Sequence, residues 1–186
     1  MTHVIRLEEK TIKSETIFEG RVVRLQIDQV ELPNGETSTR EIVKHPGAVS
    51  VMAVTNENKL VLVRQFRKPL EKTILEIPAG KLESGEDPID CAFRELEEET
   101  GYRAAEMQHV YSFYTSPGFA DEYLHLYLAK GLTKGKNQPD QDEFVELVEL
   151  TLEECLDKIA EGDICDAKTV AAVLLWQNRT LRGRSG

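Results

Sequence analysis

Long apolar runs, paired cysteines and excess positive charge are all lacking in this sequence of 186 residues. No apolar run approaches the roughly 20 residues that a bilayer crossing needs, and the first 15 residues lack the apolar region of a signal peptide. We therefore expect a cytoplasmic protein with no membrane partner. The 23 Lys and Arg against 33 Asp and Glu give a net charge of −10. Because nucleic-acid binding uses basic surface, nucleic acid is not expected as a partner.

The three cysteines, Cys91, Cys155 and Cys165, are too few and too widely spaced for a disulfide framework or a CxxC metal site. We interpret them as reduced structural thiols. The composition is that of a globular protein, with 40% hydrophobic and 30% charged residues.

Strand-like segments alternate with helical ones, which predicts an α+β fold. Residues 22–32 and 37–43 flank Asn34-Gly35, a pair typical of a tight hairpin. A second hairpin is predicted for residues 48–55 and 59–65, and further strands for residues 73–77, 110–115, 123–129 and 144–150.

Helix signals occur at three places. Asp87 and Pro88 predict the start of a helix and Gly101 its end, so we expect a helix over about 88–100. Thr151 and Glu154 have the spacing of a capping box that opens a second helix. Asp166 is expected to cap the last helix, whose predicted core residues are Val170, Val173, Leu174 and Trp176.

The first of these helices carries Glu95, Glu98 and Glu99 at spacing i, i+3 and i+4, so their carboxylates share one face. A solvated acidic face is one explanation. Apolar residues on the other side indicate instead that the helix is packed and its carboxylates preorganised; these are Ile89, Ala92, Phe93 and Leu96. Clustered carboxylate oxygens suit a hard divalent cation such as Mg²⁺.

Eight positions in this region match the pattern of the Nudix box in the correct register: Gly80, Glu86, Arg94, Glu95, Leu96, Glu98, Glu99 and Gly101. The segment therefore resembles the Nudix hydrolases, although Tyr102 is aromatic where the family is usually aliphatic. The resemblance implies an α/β/α sandwich around a mixed sheet. It also implies hydrolysis of a nucleoside diphosphate linked to another moiety.

The resemblance also assigns roles within the box. Glu95, Glu99 and the carbonyl of Ala79 would bind Mg²⁺, with Mn²⁺ as an alternative, and Glu98 would bind a further ion. Arg94 would hold the glutamates, with support from Glu86. From spacing alone, Arg94 could equally form an ordinary pair with Glu98 or Asp90.

Two segments outside the box resemble the ADP-ribose pyrophosphatase branch. Pro117 and Gly118 lie in a Ser-Pro-Gly turn, with Pro117 16 residues after Gly101. The segment 63–69 resembles the strand end that places an arginine near the diphosphate, and Arg67 is the predicted residue. Alternation puts Arg64 and Arg67 on opposite faces, and charges that solubilise an edge strand are the alternative explanation.

The segment 140–146 resembles the loop that carries the catalytic glutamate in that branch. Glu143 is the predicted general base, with Asp142 and Glu146 as alternatives. A solvated acidic loop is the other interpretation.

The branch also exchanges its N-terminal strands in a homodimer, which predicts an antiparallel β subdomain over residues 1–45 and a hydrolase domain over 46–186. Phe18, Arg40, Glu41 and His45 are predicted to contact substrate near the adenine. Val22 and Arg40 stand where some relatives carry an aromatic residue that stacks on adenine, and His45 stands where some carry an arginine, so this part departs from the pattern.

Together these features predict Mg²⁺-dependent hydrolysis of ADP-ribose to AMP and ribose 5-phosphate. Three alternatives stay open: hydrolysis of another nucleoside diphosphate sugar such as ADP-glucose or of a nucleotide, a non-catalytic module that senses ADP-ribose, and an acidic interaction domain without metal.

Overall fold

The computed structural model describes residues 7–135 and 144–183. The chain forms two compact units. Of the described residues, the first unit contains 7–47 together with Tyr114–Tyr123, and the second contains Ala48–Phe113 and the residues that follow Tyr123. The predicted division into residues 1–45 and 46–186 stays a prediction.

The first unit contains an antiparallel sheet of three strands in the order β1 (Lys10–Glu19), β2 (Arg24–Glu31) and β3 (Thr37–Lys44). The predicted hairpin at Asn34-Gly35 is confirmed, since β2 pairs with β3 and Gly35 has a φ of +86°. Asn34 accepts the backbone N–H of Glu36 at 3.0 Å, which closes the turn.

Nine further strands follow along the described chain. They are β4 (Ala48–Ala53), β5 (Leu60–Arg67), β6 (Lys72–Glu76), β7 (Ala79–Lys81), β8 (Tyr102–Arg103), β9 (Glu106–Tyr114), β10 (Tyr123–Lys130), β11 (Thr133–Lys134) and β12 (Val145–Leu150). One sheet has the order β7-β4-β10-β9, with β4 parallel to β10 and antiparallel to β7. A second has the antiparallel order β12-β5-β6, and β8 pairs with β11.

The predicted hairpin of residues 48–55 and 59–65 is wrong as a strand pair. The turn forms, with Asn58 at a φ of +59°, and Val54 bridges Leu60. Beyond that bridge, β4 and β5 belong to different sheets. Every residue of β4 is buried, and its neighbours β10 and β7 come from distant parts of the chain. Local turn chemistry predicts a reversal of the chain, whereas packing decides which strands pair.

The three predicted helices are present as α1 (Pro88–Thr100), α2 (Leu152–Glu161) and α3 (Ala167–Gly183). Asp87 accepts the backbone N–H of Ile89 at 3.0 Å, and Gly101 ends α1 with a φ of +71°. The capping box of Thr151 and Glu154 opens α2 as predicted.

Helices cover both faces of the sheets in the second unit. One core cluster packs Val49, Val51 and Val61 against Ala92 and Leu96 of α1. The other packs strand residues against α2 and α3; among its members are Leu62, Ile77, Leu126, Cys155, Val173 and Trp176. The predicted α/β/α sandwich around a mixed sheet is therefore confirmed.

One predicted core residue of α3 is wrong. Leu174 is 49% exposed, whereas Val173 and Trp176 are buried. The apolar stripe of α3 passes through Val173 and Trp176, three positions apart, and Leu174 follows Val173 by only one position, which turns it away from the core. Within residues 7–135 and 144–183, no helix is long and apolar enough to span a membrane.

Candidate active site

Helix α1 holds its glutamates in a fixed orientation. Leu96 is fully buried in the core beside the glutamates, which fixes the rotation of the helix about its axis. Glu99 is only 3% exposed and Glu95 9%, while the Glu98 side chain is 34% exposed. A solvated acidic face would leave these carboxylates in water, so their burial favours a binding site.

The Arg94 guanidinium binds three carboxylates of the box at once. Its Nη1 atom donates to Glu95 Oε1 at 2.8 Å and to Glu98 Oε2 at 2.9 Å. Its Nε and Nη2 atoms donate to the two oxygens of Glu86 at 3.0 and 3.1 Å. Charge-assisted hydrogen bonds of this kind offset the repulsion between neighbouring carboxylates. The contact with Glu98 is the i, i+4 pair that spacing allowed, and it is one part of a larger network.

The same network shifts the pKa values of its members. The hydrogen bond from Arg94 lowers the pKa of Glu86 to about 2, although burial works in the opposite direction. The hydrogen bond with Glu86 likewise raises the pKa of Arg94 above its ordinary value. Glu86 is therefore ionised in the folded protein at any physiological pH.

The lowered pKa of Glu86 predicts how the contribution of this network to the free energy of unfolding changes with pH. The contribution should be fully present above the ordinary carboxyl pKa of about 4.5 and should disappear as the pH falls toward 2. We expect Glu86→Gln to lower the free energy of unfolding above pH 5 and to have a declining effect at lower pH. Urea unfolding at several pH values measures this difference. A difference that is constant from pH 6 to 2.5 would contradict the assignment.

The backbone of Ala79 and Gly80 runs directly against the buried carboxylates. The N–H of Ala79 donates to Glu99 Oε2 at 3.0 Å. A Cβ atom on Gly80 would lie 1.8 Å from Glu95 Oε1, so only glycine leaves room for that carboxylate. The β7 segment and α1 thus form a cradle that holds Glu95 and Glu99 side by side.

This cradle fits a divalent cation in its chemistry. The carboxylates of Glu95, Glu98 and Glu99 offer only oxygen donors, as would the predicted carbonyl of Ala79, whose N–H binds Glu99. Hard cations such as Mg²⁺ prefer such donors. Among the described residues, no group of three or more Asp, Glu, His or Cys side chains is already arranged to bind a metal ion. Glu95 and Glu98 are hydrogen-bonded to Arg94 instead, so a bound ion would share these carboxylates with the guanidinium.

Arg67, the predicted diphosphate ligand, is held by a buried carboxylate. Its Nε atom donates to Glu76 Oε2 at 2.5 Å; the Arg67 side chain is 38% exposed and that of Glu76 only 3%. Burial works to lower the pKa of Arg67, but Glu76 and Glu99 raise it above its ordinary value. Arg67 therefore lies within electrostatic reach of the cradle.

The other arginine of this strand has a different partner. Arg64 binds Glu146 of β12 at 3.1 Å, with both side chains exposed. Separate partners for Arg64 and Arg67 agree with the opposite faces that alternation predicted. Glu146, an alternative for the general base, is thus in an exposed ion pair. Glu143 and Asp142 lie outside the described residues.

The other predicted substrate residues belong to the first unit. They are Phe18, Arg40, Glu41, His45, Pro117 and Gly118. Phe18, Glu41, Pro117 and Gly118 are exposed.

Arg40 and His45 each have partners within the first unit. Arg40 donates to Glu9 through Nε at 2.8 Å. The His45 Nδ1 atom accepts the N–H of Gly47 at 3.1 Å, and the His45 backbone N–H donates to Asp121 at 2.9 Å. His45 therefore joins the strand end to the segment 114–123 that carries Pro117.

Sequence reasoning missed Glu76 and Lys168, and it gave Asp166 only the role of a helix cap. Glu76 binds Lys168 as well as Arg67, and Lys168 donates to Asp166 at 2.9 Å. A signal for Glu76 was present, since it is a charged residue within the apolar run 74–77. Lys168 had no such signal, because it becomes a partner only when α3 packs beside β6.

Comparisons with known proteins bear on this site. A family model of the NUDIX domain matches residues 44–173. The chain belongs to the Nudix family. A model of the nucleoside diphosphate sugar hydrolase N-terminal domain matches residues 9–43. The predicted identification as a Nudix hydrolase is therefore confirmed. The matched residues include the box in which α1 carries the buried Glu95 and Glu99.

Similar Nudix proteins extend over nearly the whole chain. An ADP-ribose pyrophosphatase from Bacillus subtilis is 58% identical over 92% of this chain and 94% of its own length. A methanol dehydrogenase activator from Bacillus methanolicus is 67% identical over 91% and 93%. A crystal structure of an ADP compounds hydrolase has the same fold, with a TM-score of 0.82, 22% identity and coverage of 95% and 96%.

Proposed function

We propose that this Nudix protein hydrolyses the pyrophosphate bond of ADP-ribose to AMP and ribose 5-phosphate, with Mg²⁺ as the cofactor and Mn²⁺ as an alternative. The observation that carries the proposal is the cradle in which Ala79 and Gly80 meet the buried Glu95 and Glu99. The choice of substrate is supported by relatives named ADP-ribose pyrophosphatase from Bacillus subtilis and, at 36% identity, Mycobacterium tuberculosis.

Each part of the site has a role in this proposal. Glu95, Glu99 and the Ala79 carbonyl would hold the ion, and Glu98 would hold a further one. Mg²⁺ supplies charge neutralisation at the diphosphate and an activated water. Arg94 holds Glu95 and Glu98 in place and binds Glu86 on its other side. Arg67 binds the diphosphate, and Glu143 accepts the proton of the attacking water.

A substrate panel tests the proposal. ADP-ribose, ADP-glucose, GDP-mannose and a nucleoside triphosphate are compared by kcat/KM with Mg²⁺, with Mn²⁺ and with EDTA, and products are identified by mass spectrometry. We expect the highest kcat/KM for ADP-ribose, AMP and ribose 5-phosphate as products, and no turnover in EDTA. A higher kcat/KM for another compound of the panel would make that compound, and not ADP-ribose, the preferred substrate. Tight ADP-ribose binding without turnover would indicate a sensing module.

We also propose that the first unit mediates a homodimer in the cytoplasm. All ten residues of β1 are exposed, and Ile12, Ile17 and Phe18 each expose half or more of their surface. An exposed strand with apolar side chains is unfavourable unless another chain covers it. The net charge of −10 supports the absence of a nucleic-acid partner. Light scattering should give twice the mass of the chain, and Ile12→Lys together with Ile17→Lys should give the monomer mass.

A second candidate function is activation of an alcohol dehydrogenase. It is favoured by the 67% identity to a protein named methanol dehydrogenase activator. Addition of this protein to a methanol dehydrogenase of Bacillus methanolicus should then raise the rate of methanol oxidation. An unchanged rate with a wild-type protein that is active on ADP-ribose would exclude this function.

A further inference from the structure

A cluster of four charged side chains lies beside the site: Arg67, Glu76, Lys168 and Asp166. Of these, only Arg67 has a role in the reaction as proposed. The Glu76 carboxylate binds a different cation with each oxygen: Oε2 accepts from Arg67 and Oε1 from Lys168. Lys168 also donates to Asp166 Oδ1 at 2.9 Å, so two cations and two anions balance. A carboxylate that is 3% exposed needs such partners, because an unpaired buried charge is costly.

Lys168 determines how Arg67 can bind Glu76. A carboxylate with no other partner favours a bidentate contact with a guanidinium, in which both oxygens accept from the same arginine. Here the Lys168 ammonium holds Oε1, and Arg67 makes a single hydrogen bond through Nε. The terminal nitrogens of the partly exposed Arg67 therefore take no part in the hydrogen bond to Glu76.

The position of Lys168 is itself well defined. It lies in the first turn of α3 and its side chain is only 13% exposed. Asp166 caps this turn by accepting the N–H of Thr169 at 3.1 Å, and Thr169 Oγ1 accepts the N–H of Ile77 at 3.0 Å. The turn is thus attached to the strand end that carries Glu76, so Lys168 meets the carboxylate in one geometry.

We propose that Lys168 is a positioning residue for the hydrolysis of nucleoside diphosphate sugars, acting through Glu76 to direct the Arg67 guanidinium toward the diphosphate. This inference rests on the proposed function for its kinetic consequence. Its structural consequence, that the terminal nitrogens of Arg67 are not hydrogen-bonded to Glu76, exists without substrate.

The kinetic test is a double-mutant cycle. Lys168→Met should raise KM for ADP-ribose about 10-fold with kcat changed less than about threefold, because Arg67 binds substrate and transition state alike. In an Arg67→Met background the same change should alter KM by less than about twofold. Lys168→Arg should restore most of the affinity. Lys158→Met is the matched control, since Lys158 also binds two carboxylates, Glu161 and Asp163, and it should leave KM unchanged.

A measurement without substrate tests the role of Lys168 separately from the proposed hydrolysis of ADP-ribose. The terminal Nη–H groups of Arg67, assigned by their loss in Arg67→Met, should exchange with water several-fold more slowly in Lys168→Met, because the freed Oε1 of Glu76 can then accept one of them. If that variant does not fold, Asp166→Asn with Lys168→Met keeps the cluster neutral and should show the same slower exchange. Equal KM effects in both Arg67 backgrounds, or unchanged exchange, would overturn the role of Lys168. An inactive wild type with slower exchange in the variant would overturn only the proposed function.

Discussion

Replacement of Glu99 by glutamine should lower kcat for ADP-ribose about 1,000-fold, equivalent to about 4 kcal/mol of barrier, while the protein stays folded. Glu99 is 3% exposed and accepts the N–H of Ala79, so its charge is held at the centre of the cradle. The amide oxygen of glutamine can accept the same N–H, but it lacks the negative charge that a divalent ion requires. Steady-state kinetics with Mg²⁺ and circular dichroism of the variant provide the measurements.

Glu97 offers a matched control for this prediction on the same helix. Its side chain is 41% exposed and pairs with Arg103 rather than with the cradle. Glu97→Gln should therefore keep kcat within about twofold of wild type, since exposed ion pairs contribute little. Near-normal turnover in Glu99→Gln would remove Glu99 from the mechanism.

Replacement of Gly80 by alanine should lower kcat/KM about 100-fold. The new methyl group would occupy the place of the Glu95 carboxylate, 1.8 Å from Oε1, and that carboxylate is the end of a flexible side chain. We therefore expect Glu95 to swing away while the backbone stays in place, which removes one ligand from the cradle. Kinetics, Mg²⁺ titration by calorimetry and a crystal structure of the variant would show lost activity, weaker ion binding and a displaced Glu95.

Gly162→Ala should show the opposite pattern. Gly162 ends α2 with a φ of +83° and has open space where a Cβ atom would lie. Alanine there costs about 1 kcal/mol of stability through backbone strain and should leave kcat/KM unchanged. If Gly80→Ala loses stability but keeps full activity, as expected for Gly162→Ala, then the contact between Gly80 and Glu95 has no catalytic importance.

Local signals predicted α1 correctly from end to end. Asp87, Pro88 and Gly101 act within a few residues of the helix ends, and their capping chemistry is the same in any fold. The spacing of Glu95, Glu98 and Glu99 follows from helix geometry alone, so the shared face was also predictable. Two predictions were wrong, the second hairpin and the burial of Leu174. Both depend on which other parts of the chain pack against these residues.

The partners of the charged residues could not be derived in this way. Arg67 was predicted as a substrate ligand from its place in a motif, but its contact with Glu76 and the role of Lys168 join residues 67, 76 and 168. Such contacts depend on the register between β5 and β6 and on where α3 packs against these strands. A single sequence contains no local signal for either.

By itself, the sequence determined the helix, the register of its box and therefore the family and class of chemistry, because these depend on residues within a few turns of one another. Only the tertiary structure decided that Glu95 and Glu99 are buried against the backbone of Ala79 and Gly80, and that Arg67 shares a carboxylate with Lys168. The physical reason is distance along the chain: burial and charge pairing are set by segments that meet only when the sheets and helices pack.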